Sequence, residues 1–205
     1  MSIDFNVLIQ KSLMIVISGP SGVGKDSVIH EMMHRKLPIH FVITANTRFP
    51  RPDEKEGVDY FFVSKERFQE MIKRGELIEY SQVYEDYKGV PKWQVEQAFA
   101  SGKDVIMRLD VQGAEKIRKL YPDALLIFLV PANEGEWIER FKRRTGEPPK
   151  DLEVRINKAK DELMKIPLFD YVVVNPQNKL NEAVDTVEAI IKAEHHRIQQ
   201  RSTFL

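Results

Sequence analysis

The segment Leu13-Met14-Ile15-Val16-Ile17-Ser18-Gly19-Pro20-Ser21-Gly22-Val23-Gly24-Lys25 constrains this chain more than any other stretch. An apolar run carrying β-branched Ile15, Val16 and Ile17 suits a strand buried on both faces, as in a parallel sheet. Asp26 to Arg35 reads as the helix that follows. Between them lies a turn with the spacing Gly-x-x-x-x-Gly-Lys, in which backbone N–H groups and a helix N-terminus converge on phosphate. Gly19, Pro20, Ser21, Gly22, Val23 and Gly24 would wrap nucleotide phosphates, and Lys25 would neutralise the outer ones. A plain glycine turn would need neither the lysine nor this spacing.

The residue after such a lysine is ordinarily Ser or Thr, whose hydroxyl holds Mg²⁺. Here it is Asp26, with Ser27 one place later. Two readings of Asp26 stand open: loss of the metal position, or a carboxylate that holds Mg²⁺ directly or through water, since hard oxygen ligands suit that ion. Asp26 as helix N-cap is compatible with either.

The remaining apolar, β-rich runs are Phe41–Thr44, Val105–Leu109, Leu125–Val130 and Tyr171–Val174. Stretches of helical character separate them: Pro91–Ala100, with Pro91 in the first turn, Gln112–Leu120, Glu134–Arg143, Asp151–Met164 and Asn181–Gln199. Strands joined by helical crossovers imply an α/β fold with a mainly parallel sheet covered by helices. Residues from about Asn46 to Lys88 break the rhythm with charge, proline and aromatics, and Tyr60-Phe61-Phe62-Val63 marks that insert as partly β.

Composition removes several function classes. The 205 residues suit one domain with inserted subdomains, and Lys plus Arg balance Asp plus Glu at 31 each, without the excess basic charge of a general nucleic-acid binder. The absence of cysteine excludes disulfides, thiolate catalysis and Cys-based zinc sites. His30, His34, His40, His195 and His196 form no convincing metal pattern. No apolar run reaches membrane-span length, and Met1 to Lys11 has neither a basic start nor a long apolar stretch, so the expectation is a soluble, cytoplasmic protein with no membrane partner.

A second constellation, Thr44-Ala45-Asn46-Thr47-Arg48-Phe49-Pro50-Arg51-Pro52-Asp53-Glu54, precedes Gly57-Val58-Asp59-Tyr60. With the phosphate loop, Glu79-Tyr80, Tyr87-Lys88-Gly89, Leu109-Asp110-Val111-Gln112-Gly113 and Asp170-Tyr171-Val172-Val173-Val174-Asn175, these motifs make the chain resemble guanylate kinases from about Met14 to Ala193. The resemblance implies a P-loop NTPase three-layer fold. It divides a kinase-like domain over about 12–195 into a core (about 12–44, 89–135 and 165–195), a GMP-binding insert (about 45–88) and a helical lid (about 136–164), followed by a tail over 196–205. It implies ATP and GMP as substrates, Mg²⁺ with the ATP, and a monomer or homodimer.

On the same resemblance Arg48, Arg51 and Tyr60 bind the acceptor phosphate. Two guanidinium forks beside a phenol suit a dianion independently of it. Glu79 and Thr44 would read guanine, because a carboxylate can accept from both N1–H and the exocyclic amino group, a donor pair that adenine lacks. Asp110, after an apolar strand, would lie on the base or metal side of the cleft. Arg144 and Arg155 would be the main lid arginines, with Arg140 beside them, and Asn175 would lie near the ATP adenine.

Three departures from the commonest pattern accompany Asp26. Lys88 stands in place of a phosphate-binding tyrosine and could still meet phosphate, Val90 in place of a base-contacting hydroxyl, and Arg108 in place of an acidic residue two before Asp110. Gly-Lys-Asp and Tyr-Lys-Gly together resemble the plastid and mitochondrial type of plants. Two rivals remain: a non-catalytic binding module of the same fold, and a kinase acting on a different phosphorylated acceptor.

Overall fold

β1 (Met14–Ser18) is buried along its whole length, with side chains that alternate between two hydrophobic layers. Leu13, Ile15 and Ile17 pack with Val28, Ile29 and Met32 on one face, while Met14 and Val16 pack with Val95, Ala98, Ala114 and Ile117 on the other. A strand apolar on both faces must be covered on both, so the period-2 geometry of β1 dictates a helix–sheet–helix sandwich. The computed structural model describes residues 11–52, 54–83, 85–145 and 149–201, and their side chains except at 83, 141–145 and 149–155.

The central sheet has the order β2-β7-β1-β8-β9, with β2 (Ile39–Val42), β7 (Asp104–Arg108), β8 (Leu125–Val130) and β9 (Tyr171–Val174), and every pairing is parallel. From β1 the chain passes through α1 (Lys25–His34) to β2, beyond β7. From β7 it passes through α4 (Val111–Leu120) to β8, on the far side of β1. The two connections leave in opposite directions and open a crevice at the carboxyl ends of β1 and β7, where sheets of this kind hold ligands. In register, Ile17 lies opposite Arg108.

The run read as one strand, Phe41–Thr44, is two. Ile43 separates β2 from β3 (Thr44–Asn46), which joins a second sheet of order β4-β3-β6-β5 with β4 (Tyr60–Phe62), β5 (Leu77–Val83) and β6 (Asp86–Pro91). The break occurs where the Ile43 N–H donates to the Gln94 side chain at 3.0 Å instead of to a neighbouring strand. This sheet also carries α2 (Lys65–Lys73), which the charge-rich composition of the insert did not announce. Its Ser64 N-cap accepts from Arg67 N, and it packs Phe68 and Met71 against Ala45 and Leu77. Pro91 is the N-cap of α3 (Lys92–Ala100) rather than a first-turn residue, because its ψ of 132° is extended. The lid stretch consists of α5 (Glu134–Thr145) and α6 (Pro149–Leu163), and the last helix, α7 (Leu180–His195), stops short of Gln199. Among the described residues no helix is long and apolar enough to cross a membrane.

The end of α7 is tied to the sheet by charge. Glu194, 2% exposed, accepts from the Tyr171 hydroxyl at 2.7 Å, from Arg201 Nε at 2.7 Å and from Arg197 Nη1 at 3.1 Å. Burial opposes ionisation, but the arginine and tyrosine donors prevail and hold its carboxyl at about 2. An ordinary glutamate titrates at ~4.3 in an unfolded chain. The depressed value therefore adds stability that is complete above ~4.3 and is lost as the pH falls through about 2. Glu194→Gln is expected to destabilise the fold by about 3 kcal/mol at pH 7, because it takes the buried carboxylate from Arg201 and Arg197 and leaves Arg201 a single carboxylate among the described residues, Asp170 at 3.5 Å. Urea unfolding at pH 7 and pH 3 should show the difference between wild type and variant shrinking at the lower pH.

Candidate active site

The crevice at the ends of β1 and β7 is lined by Gly19, Ser21, Gly22, Gly24, Lys25 and Asp26 from the glycine loop, by Thr44, Tyr60, Glu79, Ser81 and Lys88 from the second sheet, and by Arg108 and Asp110. Lys25 curls back over the loop and donates to the carbonyls of Gly19 (2.6 Å) and Pro20 (3.0 Å). Burial lowers its ammonium to about 8, against weaker attraction from Asp26 and Glu162. An incoming phosphate would reverse that shift by supplying the missing counter-charge. Gly24 needs glycine twice over: its φ is +93°, and a Cβ there would meet Asn175 Nδ2 at 2.4 Å.

The outer wall of the loop is braced from the far edge of the sheet. Asn175, 4% exposed, donates to the Val23 carbonyl at 2.9 Å, and Arg140 bridges from α5 to the Asn175 carbonyl at 2.8 Å. Trp137 on the same helix donates to the Ser21 carbonyl at 2.7 Å. Pro20 lies at the mouth of a separate apolar hollow with Trp137, and the exposed Ser27 lines the groove outside the loop. The side chains of Arg144 and Arg155 lie outside the described residues.

On the other side of the crevice, cations gather round one phenol ring. Tyr60, 6% exposed, has Arg48 Cζ 5.1 Å, Lys88 Nζ 5.7 Å and Arg108 Cζ 4.1 Å from its ring centre. Burial raises the Tyr60 hydroxyl above its ordinary value, so it is a hydrogen-bond donor at neutral pH. Arg48 is held by a two-pronged contact with Glu54 at 2.6 and 2.5 Å, and Glu54 also accepts from the Arg51 backbone N–H at 2.9 Å. Arg51, whose side chain is nearly half exposed, lies 3.7 Å from the same carboxylate. Burial lowers Lys88 to about 8, and Arg108 and Arg48 contribute to the shift.

Glu79 faces the crevice from β5, 4% exposed, with Oε2 buried and without a hydrogen-bond partner among the described residues. Burial and the nearby Asp110 raise its carboxyl to about 8. The glycine of α4 makes this possible, since a Cβ at Gly113 would meet the Glu79 carboxylate at 3.1 Å. Asp110 is the N-cap of α4, accepting from Gly113 N at 2.8 Å and from the Ser81 hydroxyl at 2.7 Å, which sets it beside Glu79. Thr44, 3% exposed, completes that corner. A buried acceptor with no partner, next to a second carboxylate, is a receptor for a ligand with several N–H donors.

Some expectations change. Asp26 is not the N-cap of α1: Gly24 is, with no side-chain cap, and Asp26 lies in the first turn, ion-paired to Arg108. Val90 is wholly buried among Val42, Val95 and Met107, so its position belongs to the core and not to the crevice wall. Three residues of the crevice escaped sequence reasoning, Ser81, Lys158 and Glu162, and a fourth, Arg108, was singled out there without a role. The i, i+4 spacing of Lys158 and Glu162 on one face of α6 was a usable signal, and so was the alternation of Glu79 and Ser81 along β5.

The guanylate kinase family model matches residues 11–194. The chain belongs to the guanylate kinase family. A chloroplastic/mitochondrial guanylate kinase 2 of rice (Oryza sativa subsp. japonica) is 44% identical over 93% of this chain and 67% of its own length. The guanylate kinase of Latilactobacillus sakei is 39% identical over 92% of both chains. In structure, the guanylate kinase of Anaplasma phagocytophilum superposes with a TM-score of 0.77 at 28% identity, covering 93% of this chain and 89% of its own. The fold of this family member is thus the P-loop kinase fold, with the glycine loop at the head of the parallel sheet.

Proposed function

We propose that the protein transfers the terminal phosphoryl group of ATP to GMP, giving ADP and GDP. The observation that carries this reading is Glu79, whose buried Oε2 has no hydrogen-bond partner among the described residues and which lines the crevice together with Lys25. The second sheet with α2 is the acceptor-binding insert, and α5 with α6 forms the lid. Gly19 to Ser27 hold the ATP phosphates through backbone N–H groups and Lys25, with Asn175 and Arg140 bracing the loop on the adenosine side. Arg48, Arg51, Tyr60 and Lys88 receive the GMP phosphate, while Glu79, Thr44 and Asp110 receive the base. Arg144 and Arg155 approach the transferring group from the lid.

Nucleotide kinases use Mg²⁺ with ATP, and the donors here fit an ion that arrives with the nucleotide. Among the described residues no group of three or more His, Asp or Glu could hold a metal alone, but Asp26 offers hard oxygen next to Lys25. Asp26 would hold the ion, which when bound neutralises phosphate charge. No general base is needed, because the acceptor oxygen of GMP is already anionic. In-line placement and fixed charge supply the rate, and exclusion of water under the lid prevents hydrolysis.

ADP production from ATP with GMP, dGMP, AMP, UMP and CMP in turn tests the reading. Turnover is expected with the guanine nucleotides and only with Mg²⁺ present. Equal turnover with AMP would overturn the assignment of Glu79, and no turnover with any acceptor would favour a binding module.

A further inference from the structure

Arg108 ends β7 beside the glycine loop, and its side chain is only 5% exposed. One arm of the guanidinium pairs with Asp26 on α1; the other donates to the Asp59 carbonyl in the insert at 2.5 Å. Its plane lies against the rings of Tyr60 (4.1 Å) and Phe41 (5.3 Å), and among the described residues its Nε–H has no acceptor. A buried cation with an uncommitted donor is costly unless an acceptor arrives. Repulsion between Arg108 and the buried Lys88 has the same sense, since each favours an anion between them.

We propose that Arg108 is a phosphate-binding residue of the transfer site, contacting the oxygens of the phosphoryl group as it passes between the two nucleotides. Its location decides which phosphate it serves. Asp26 belongs to the loop that holds the donor, and Tyr60 to the cluster that holds the acceptor, so the guanidinium between them faces the junction. Asp26 and the Asp59 carbonyl are positioning groups: they hold the fork in one plane, so that little ordering is left for the moment of transfer. A lysine could carry the charge but could not keep both ties.

The inference rests on the phosphotransfer reading, and wild-type turnover of ATP with GMP in the same assay checks that reading separately. Arg108→Met is expected to lower kcat by about 10²-fold or more while the KM values for ATP and GMP change by less than about fivefold. A dinucleotide that joins adenosine and guanosine through five phosphates should lose about 10²-fold in affinity by calorimetry, whereas ADP and GMP alone lose little. Added guanidinium ion should restore part of the kcat of Arg108→Ala. Arg108→Lys keeps the charge and should still lose at least about tenfold in kcat. A kcat within threefold of wild type in Arg108→Lys, or raised KM values with unchanged kcat and no guanidinium rescue in the other variants, would reduce Arg108 to a structural tie and overturn the proposal.

Discussion

Lys25→Ala should lower kcat for ADP formation by about 10³-fold and leave the unfolding temperature within a few degrees of wild type. The two halves of this expectation have separate causes. Among the described residues the ammonium donates hydrogen bonds to two carbonyls of its own loop and is attracted more weakly by Asp26 and Glu162, so its removal breaks no close ion pair of the core. During transfer the same group faces the charge on the outer phosphates, where a fixed cation in a water-poor site is worth several kcal/mol. A coupled assay and a melting curve on one preparation decide the matter; a variant with near-normal turnover would contradict the role given to Lys25. Burial, which lowers the Lys25 ammonium to about 8, adds a pH limb, because ATP meets an uncharged lysine more often above that pH.

Glu79→Gln should reduce kcat/KM for GMP by about 10³-fold and relax the preference for guanine over other bases. The amide keeps the volume against Gly113 but points a donor at a donor. Wild type has a further signature. Glu79 must lose its proton to accept from N1–H and the amino group, and Lys88 must keep its proton to meet phosphate, yet burial raises the one and lowers the other to about 8. A plot of kcat/KM for GMP against pH is therefore expected to rise towards about 8 and fall beyond it. In Glu79→Gln the rising limb should disappear. Persistence of that limb would assign it to another group.

Sequence reasoning reached the sheet and the donor loop because both rest on local patterns. β8 and β9 appear with the boundaries read from their apolar runs, and the Gly19–Lys25 spacing stands between strand and helix as expected. It failed where a property depends on what lies across space. Phe41 to Thr44 is one apolar run, but Gln94, far along the chain, divides it between two sheets. The resemblance puts Val90 where relatives carry a base-contacting hydroxyl, yet strand alternation turns its side chain into the core. Arg108 looked like a substitution without a role until the structure placed Asp26 against it. Two departures that seemed independent along the chain are one contact in the fold.

The Glu54 carboxylate seated between Arg48 and Arg51 bears on how the protein lives among other salts. An anion that approaches the arginines must first evict a tethered competitor whose local concentration it cannot match. Sulfate or free phosphate has only its charge to offer for that exchange. A nucleotide that engages Glu79 at its other end has a second, distant anchor to set against the cost. On the proposed reading the occupied fork would act as a filter against small ions, reserving a cationic corner for molecules long enough to reach both ends of the crevice.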